Sequence, residues 1–140
     1  MLTRNRIMAF IPSTDLDRSR NFYQHTLGMR VLYQDDFAVA LISDGVMIRV
    51  TQVGKFEPQK FTIFGWEVSD IERAVKKLKS KKIEFQHFGM PDQHESGIWT
   101  APSGARVAWF NDPDGNNLSL TQFATESRKP LAKRKNKGIS

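Results

Sequence analysis

The residues TDLDRS at positions 14–19 recur in similar form as SDIERA at positions 69–74. In both copies a Thr or Ser and an Asp precede residues that can continue as a helix, the pattern that begins an α-helix. A second pair of matching stretches lies further along, DGVMIRVTQ at 44–52 and DGNNLSLTQ at 114–122. Two matches in the same order predict two copies of one supersecondary unit.

Hydrophobic periodicity completes the first copy as a strand, a helix and three further strands. Alternation predicts a strand at 7–11, with Met8 and Phe10 on the same face. Thr14 or Asp15 can cap the helix that follows. The three remaining strands are predicted at 29–33, 37–42 and 46–52.

The second copy begins after a linker at 53–60 and again starts with a strand followed by a helix. A strand is predicted at 61–68, and Ser69 with Glu72 forms a candidate capping box for the next helix. The lysines of that helix interleave with its apolar stripe and are interpreted as a solvated face. Four strands and a loop complete the copy, at 83–88, 98–101, 106–110 and 118–123, with the loop at 89–97. The DPDG turn at 112–115 is interpreted as purely structural, with no partner residue for its carboxylates.

Composition limits the classes of protein that the chain can represent. Its 140 residues contain no cysteine, which excludes thiol nucleophiles and thiolate zinc sites. One domain at 1–123 is predicted, with modules at about 5–53 and 60–123. Neither a signal peptide nor a membrane-spanning stretch is evident, so a cytoplasmic protein without membrane contact is expected. The net charge of +6 is concentrated at 124–140, predicted to be a basic, disordered tail with at most weak contacts to nucleic acid.

The motifs together resemble the vicinal oxygen chelate superfamily, which includes glyoxalase I, extradiol dioxygenases, fosfomycin-resistance proteins and bleomycin-binding proteins. The resemblance implies an α+β fold in which two βαβββ modules form a curled mixed sheet around a central cavity, often in a homodimer. The stretches that carry it are DLDRS at 15–19, FY at 22–23, LG at 27–28, VSD at 68–70 and DPDGN at 112–116.

The same resemblance locates the positions of a metal site. In metal-dependent members a ligand lies seven residues before the helix-initiating aspartate, which gives Met8 and Ile63 here. Further ligands lie four residues beyond the turn glycine, which gives Arg49 and Ser119. A thioether, an alkyl group, a guanidinium and a lone hydroxyl do not make a divalent metal site. A protein without metal or other cofactor is therefore expected.

We accordingly predict a metal-free protein that binds a small organic molecule, with an organic anion as one candidate. Arg49 is the sharpest candidate, because a guanidinium can bind a carboxylate or phosphate. Its alternative role is a structural ion pair with Glu67, and Trp99 is a candidate for stacking on the ligand. The predicted ligand-binding residues are Met8, Phe10, Met47, Arg49, Ile63, Trp99 and Ser119.

Two rival interpretations stay open at this point. The chain can be a lyase, isomerase or dioxygenase of the same superfamily with a non-standard or metal-independent site, whose catalytic residues the sequence does not identify. Asp92, His94 and Glu95 would then be candidates for a displaced metal site or an acid-base pair. The loop that contains them is a possible lid. Alternatively, the chain is an interaction module whose basic tail binds a polyanion.

Overall fold

The computed structural model describes residues 1–125, so most of the predicted tail lies outside the described residues. A short 3-10 turn at Leu2–Arg4 precedes β1 (Met8–Ser13), α1 (Leu16–Arg20), β2 (Arg30–Gln34), β3 (Ala38–Ser43), β4 (Val46–Gln52), β5 (Phe64–Glu67), α2 (Ile71–Ser80), β6 (Trp99–Thr100), β7 (Arg106–Asn111) and β8 (Asn117–Gln122). The order βαβββ occurs twice, which confirms the predicted α+β fold. In the part of the chain described, no helix has the length and apolar character needed to cross a membrane.

The eight strands form two sheets with the same internal order. The first sheet is ordered β1-β4-β3-β2 and the second β5-β8-β7-β6. The described chain also divides into two compact units, one made of residues 1–64 and 111–117 and the other of 65–110 and 118 onward. The turn between β7 and β8 therefore belongs to the first unit.

The first sheet is mixed, and one of its faces is covered by α1. Strand β1 runs parallel to β4, whereas β3 is antiparallel to both β4 and β2. Helix α1 begins at Asp15, whose carboxylate accepts a hydrogen bond from the N–H of Arg18 at 3.1 Å. The helix continues as a wider, π-helical segment, Asn21–Thr26, which contains the buried Tyr23. Apolar side chains fill the space between helix and sheet, among them Ile11, Leu41, Ile48 and Val50.

In the second unit, α2 begins one residue later than the predicted capping box requires. Asp70 caps the helix by accepting from the N–H of Arg73 at 3.1 Å, so the box of Ser69 with Glu72 is wrong. Glu72 instead accepts from Arg106 at 2.6 Å. The carboxylate that could cap α2 is therefore used to join the helix to β7.

Two predicted strands of this copy differ from the structure. The predicted strand at 61–68 is reduced to β5, and the one at 83–88 is not a strand. Phe85 makes a single bridge to Phe110, and its ring packs on that of Phe110 with centroids 5.5 Å apart. Immediately before this segment, Lys82 has a φ of 68°, a left-handed conformation that interrupts extended chain. The apolar alternation of 83–88 thus reflects one buried anchor rather than a paired strand.

The DPDG turn at 112–115 is structural, as predicted, but its first carboxylate has several partners. The hydroxyl of Tyr23 donates to Oδ2 of Asp112 at 2.7 Å, and the side-chain amide of Asn116 donates to the same oxygen at 2.8 Å. The backbone N–H groups of Asp114 and Asn116 donate to Oδ1, both at 2.9 Å. Burial raises the pKa of Asp112, although these hydrogen bonds oppose the change. Burial and the Asp112 carboxylate also raise the pKa of Tyr23.

The second carboxylate of the turn joins it to the start of α1. The side chain of Asp114 is only 3% exposed, and its Oδ1 accepts from the N–H of Thr14 at 3.1 Å and from Arg18 at 2.8 Å. Burial acts to raise the pKa of Asp114, but the hydrogen bonds from Thr14 and the charge of Arg18 lower it overall. The prediction that neither carboxylate has a partner is therefore wrong. These contacts hold residues 111–117 in the first unit.

Asp114→Asn tests this contact, because it removes the charge that Arg18 and Thr14 stabilise. At pH 7 the free energy of unfolding should fall by about 1.5–3 kcal/mol, the usual value of hydrogen bonds to a charged group. A lowered pKa in the folded state gives stability above the unfolded pKa of about 3.9, and this stability is lost as the pH falls through the folded value. The difference between wild type and variant, measured by urea unfolding, should therefore shrink below about pH 4.

Asp44→Asn is the matched control, since Asp44 occupies the equivalent turn position in the first copy and is exposed. It should leave unfolding nearly unchanged at every pH. Equal losses in the two variants would contradict the role assigned to Asp114.

Candidate functional site

One face of the first sheet is not covered by α1, and it carries four of the predicted ligand-binding residues. Strand pairing places Met8 beside Met47 and Phe10 beside Arg49. Met8 is 46% exposed and Phe10 63% exposed, although both are large apolar side chains. Large apolar groups on an open face are a common feature of binding surfaces. We call this surface the Arg49 face, defined by Met8, Phe10, Tyr33, Met47 and Arg49.

Arg49 is held in place on this face by a tyrosine. Its Nη1 donates to the hydroxyl of Tyr33 at 2.6 Å, across Ala40, which pairs with both residues in the sheet. A guanidinium has five N–H donors, and this bond uses one. Arg49 is half-buried, so its charge lies at the border between the sheet and solvent. The arrangement orients a cation beside apolar side chains.

A β-bulge brings Tyr33 to the Arg49 face. Val31 pairs with Leu41 on the helix-covered side, and regular alternation would place Tyr33 on that side too. The register shifts between Val31 and Tyr33, so Tyr33 pairs with Ala40 and lies on the opposite face. Regular alternation from Val31 places Tyr33 on the helix-covered face, and the sequence carries no clear signal of the bulge. Tyr33 was therefore not predicted as a site residue.

The carboxylate of Asp35, just after β2, interacts electrostatically with the positive charge of Arg49. Asp35 accepts hydrogen bonds from the N–H groups of Phe37 at 2.8 Å and Ala38 at 2.9 Å. These two bonds lower the pKa of Asp35, and the positive charge of Arg49 contributes to the change. The carboxylate of Asp35 thus stabilises the turn between β2 and β3.

The alternative ion pair of Arg49 with Glu67 stays a prediction.

The second sheet carries Ser119 next to a glycine. An added Cβ at Gly65 would lie 2.7 Å from the backbone oxygen of Ser119 and would also overlap its hydroxyl, so only glycine allows this approach. An open hollow of about 250 Å³ lies here, lined by Gly65, Trp66, Glu67, Ser119, Thr121 and Phe123. We call it the Ser119 hollow. Ser119 itself is buried, as its repeat mate Arg49 is not.

Trp99 lies on the same face of the second sheet as the Ser119 hollow. Trp66 stacks on Phe110 with centroids 6.2 Å apart, so the neighbours of these residues in their strands point to the other face. Trp109 is one of these neighbours, and its ring lies 6.0 Å from that of Trp99. The structure thus gives Trp99 an aromatic partner on the open face.

The remaining predicted residue, Ile63, lies just before β5 and outside the strands. It is half-buried, and its N–H donates to the carbonyl of Asn117 at 3.0 Å. The structure therefore brings Met8, Phe10, Met47 and Arg49 together on one sheet, and places Trp99 and Ser119 on the open face of the other. Whether these residues bind a ligand stays a prediction.

The described part of the chain contains no cluster of side chains suited to a divalent metal. Across residues 1–125 no group of three or more His, Cys, Asp or Glu side chains is placed to hold one. The displaced metal site suggested at Asp92, His94 and Glu95 is therefore wrong, and the acid-base pair suggested for the same loop stays a prediction. His94 has a local partner instead, because its Nδ1 accepts from the N–H of Ser96 at 3.0 Å.

Comparison with known proteins identifies the family. The sequence model described as "Glyoxalase/Bleomycin resistance protein/Dioxygenase superfamily" matches residues 4–120. No curated protein sequence matches the chain.

Solved structures show the same fold at low sequence identity. The glyoxalase/bleomycin resistance protein/dioxygenase from Alicyclobacillus acidocaldarius is 18% identical with a TM-score of 0.71, covering 91% of this chain and 97% of that one. A superfamily member from Sphaerobacter thermophilus is 21% identical with a TM-score of 0.67, covering 87% and 99%. Lactoylglutathione lyase from Agrobacterium tumefaciens is 14% identical with a TM-score of 0.68, covering 85% and 93%.

Gly65→Ala tests the close approach that forms the Ser119 hollow. The new methyl group would overlap backbone, which cannot move independently, so we expect a loss of about 1–3 kcal/mol in unfolding free energy. Gly54→Ala is the control, because nothing lies within 4 Å of an added Cβ there. Its stability should be equal to or slightly above that of wild type. Equal stability of the two variants in urea unfolding would show that β5 and β8 are not packed as described.

Proposed function

Because this chain belongs to the Glyoxalase/Bleomycin resistance protein/Dioxygenase superfamily, we propose that it binds a small organic anion without a metal ion. The observation that carries the proposal is the Arg49 face, a cation fixed by Tyr33 among exposed apolar side chains. In this proposal Arg49 binds the anionic group, and Met8, Phe10 and Met47 contact the apolar body of the ligand.

The chemistry of the side chains supports a site without metal. Arg49 occupies a position where metal-dependent relatives would have a ligand, and its positive charge would repel a divalent cation. The same charge attracts a carboxylate or phosphate, which can accept two parallel hydrogen bonds from one guanidinium. Replacement of a metal ligand by arginine thus changes the preferred ligand from a cation to an anion.

Fixation of Arg49 reduces the entropy that binding would otherwise cost. An unrestrained arginine loses up to about 2 kcal/mol of side-chain freedom when it is immobilised. The 2.6 Å bond to Tyr33 restricts the side chain before a ligand arrives. The exposed apolar neighbours add hydrophobic contact with the body of the ligand to the attraction between the guanidinium and its anionic group.

In this proposal the protein sequesters its ligand, since the Arg49 face supplies a cation for the anionic group and apolar surface for the rest of the molecule. The similar structure from Agrobacterium tumefaciens is a lactoylglutathione lyase, but its 14% identity shows only a shared fold. A lyase, isomerase or dioxygenase activity remains the alternative drawn from the sequence. The homodimer, the cytoplasmic location and the role of the basic tail also stay predictions.

Titration of the protein with benzoate and 1-naphthoate, followed by backbone amide NMR shifts, tests the proposal. We expect saturable shifts in β1 and β4, and tighter binding of naphthoate because it covers more apolar surface. Arg49→Met removes the charge but keeps an apolar chain of similar length. It should weaken binding at least about tenfold, since a charge-assisted hydrogen bond contributes roughly 1.5–3 kcal/mol.

Arg73→Met on α2 is the charge-matched control and should leave the affinity at this face unchanged. Tyr33→Phe should weaken binding less than Arg49→Met, because it frees the guanidinium without removing it. The proposal is wrong if neither compound shifts β1 and β4, or if Arg49→Met binds them as tightly as wild type.

A further inference from the structure

A second cleft lies on the other side of the second sheet, between α2, the segment at 92–98 and strands β6 and β7. Its volume is about 480 Å³, within the range typical of small-molecule sites. Arg106 belongs to the helix-covered face, since it bonds Glu72 of α2, whereas Trp99 and Trp109 lie on the open face. The cleft is lined by Glu72, Val75, Lys76, Lys79, Asp92, His94, Ser96, Ile98, Thr100 and Arg106. We call it the Lys76 cleft.

The wall of this cleft opposite α2 is fixed by the side chain of Gln93. Its Nε2 donates to the carbonyls of Gln86 at 2.8 Å and Gly97 at 2.9 Å. Its Oε1 accepts from the N–H of Phe88 at 2.8 Å. The N–H of His94 also donates to the carbonyl of Ile98 at 2.8 Å. The loop that the sequence indicates as a lid is therefore held in place by the hydrogen bonds of the Gln93 side chain.

Hydrogen-bond donors dominate the lining of the cleft. Lys76 and Lys79, about one turn apart on α2, line the cleft, and the ammonium group of Lys79 also lies over the ring of Phe85, 6.0 Å from its centroid. His94 contributes a third donor, because its Nδ1 accepts from Ser96 and the ring proton of the neutral form then lies on Nε2. A ligand that accepts hydrogen bonds therefore fits this lining.

The charges favour an anion over a cation. Glu72 is paired with Arg106 at 2.6 Å, which leaves two lysines against the single carboxylate of Asp92. Among the described residues, no carboxylate lies within ion-pair distance of Lys76 or Lys79, so neither lysine is neutralised by a described carboxylate. Val75 and Ile98 add apolar surface beside the charges and are both buried.

We propose that the Lys76 cleft is a second ligand site, which binds a small organic anion independently of the Arg49 face. Lys76 and Lys79 bind its carboxylate or phosphate, His94 donates a further hydrogen bond, and Val75 and Ile98 contact its apolar body. The lysines that the sequence indicated as a solvated helix face thus divide into two sets. Lys76 and Lys79 line the cleft, whereas Lys77 does not.

Amide NMR titration of the whole chain with phenyl phosphate, and separately with benzoate, tests this proposal. We expect saturable shifts at Ser96, Ile98 and Thr100 with at least one compound, and the compound that binds more tightly identifies the preferred anionic group. The double variant K76Q/K79Q should weaken binding at least about tenfold, which corresponds to roughly 1.4 kcal/mol. Both lysines are exposed, so the variant should fold normally.

The double variant K55Q/K77Q removes the same charge from exposed positions that do not line the cleft and should change the affinity less than about twofold, because charges that face solvent are screened by salt. Arg49→Met should leave binding at the cleft unchanged, so the two sites can fail separately. Absence of saturable shifts at the cleft overturns the proposal. Equal weakening in the two double variants also overturns it, because attraction would then depend only on net charge.

Discussion

The buried carboxylate of Asp112 is the constraint on which the first unit depends. It lies where four donors converge, from the hydroxyl of Tyr23, the side chain of Asn116 and two backbone N–H groups. Removal of any donor would leave part of a buried charge without a partner, which usually costs more than a hydrogen bond gains. Asn116 also donates to the carbonyl of Pro12 at 3.0 Å. The network therefore fixes the turn after β7 against both β1 and α1.

The two copies of the repeat keep the same scaffold but differ in the chemistry of equivalent positions. Both helices begin at an aspartate whose carboxylate accepts a hydrogen bond from the backbone N–H three residues later. Both sheets also have the same strand order. Arg49 and Ser119 are equivalent in the repeat, yet one presents a cation and the other a buried hydroxyl beside a glycine. A scaffold that the repeat keeps constant thus supports two different surfaces. The proposed function depends on the copy that carries the charge.

Sequence reasoning predicted the elements whose pattern reflects their own packing. The strand at 46–52 and the inward stripe of α2 are found as predicted, because side-chain alternation and helical spacing alone determine which residues are buried. The predicted strand at 83–88 is wrong, because only Phe85 pairs with the sheet. The next residue, Gln86, accepts a hydrogen bond from the side chain of Gln93. Partners from distant parts of the chain, such as those of Asp112 and Asp114, cannot be deduced from local pattern.

The candidate site shows the same division between local and distant information. The facing of Met47 and Arg49 followed from alternation in β4, but the bulge in β2 that brings Tyr33 to Arg49 did not. The Lys76 cleft could not be predicted from the spacing of the lysines, because it depends on how α2 packs against β6 and β7. The site without metal stays a prediction from residue identity, whereas the hydrogen-bond partners of these residues could be found only from coordinates.

Metal content is the most direct test of the central claim that Arg49 replaces metal chemistry with anion binding. The full chain, purified without immobilised metal or chelator, would be analysed for manganese, iron, cobalt, nickel, copper and zinc. Thermal unfolding would then be measured with each divalent ion added. We expect far less than one metal ion per chain and no stabilisation by any of the ions. One tightly bound ion per chain, together with a rise in Tm on its addition to the stripped protein, would contradict it.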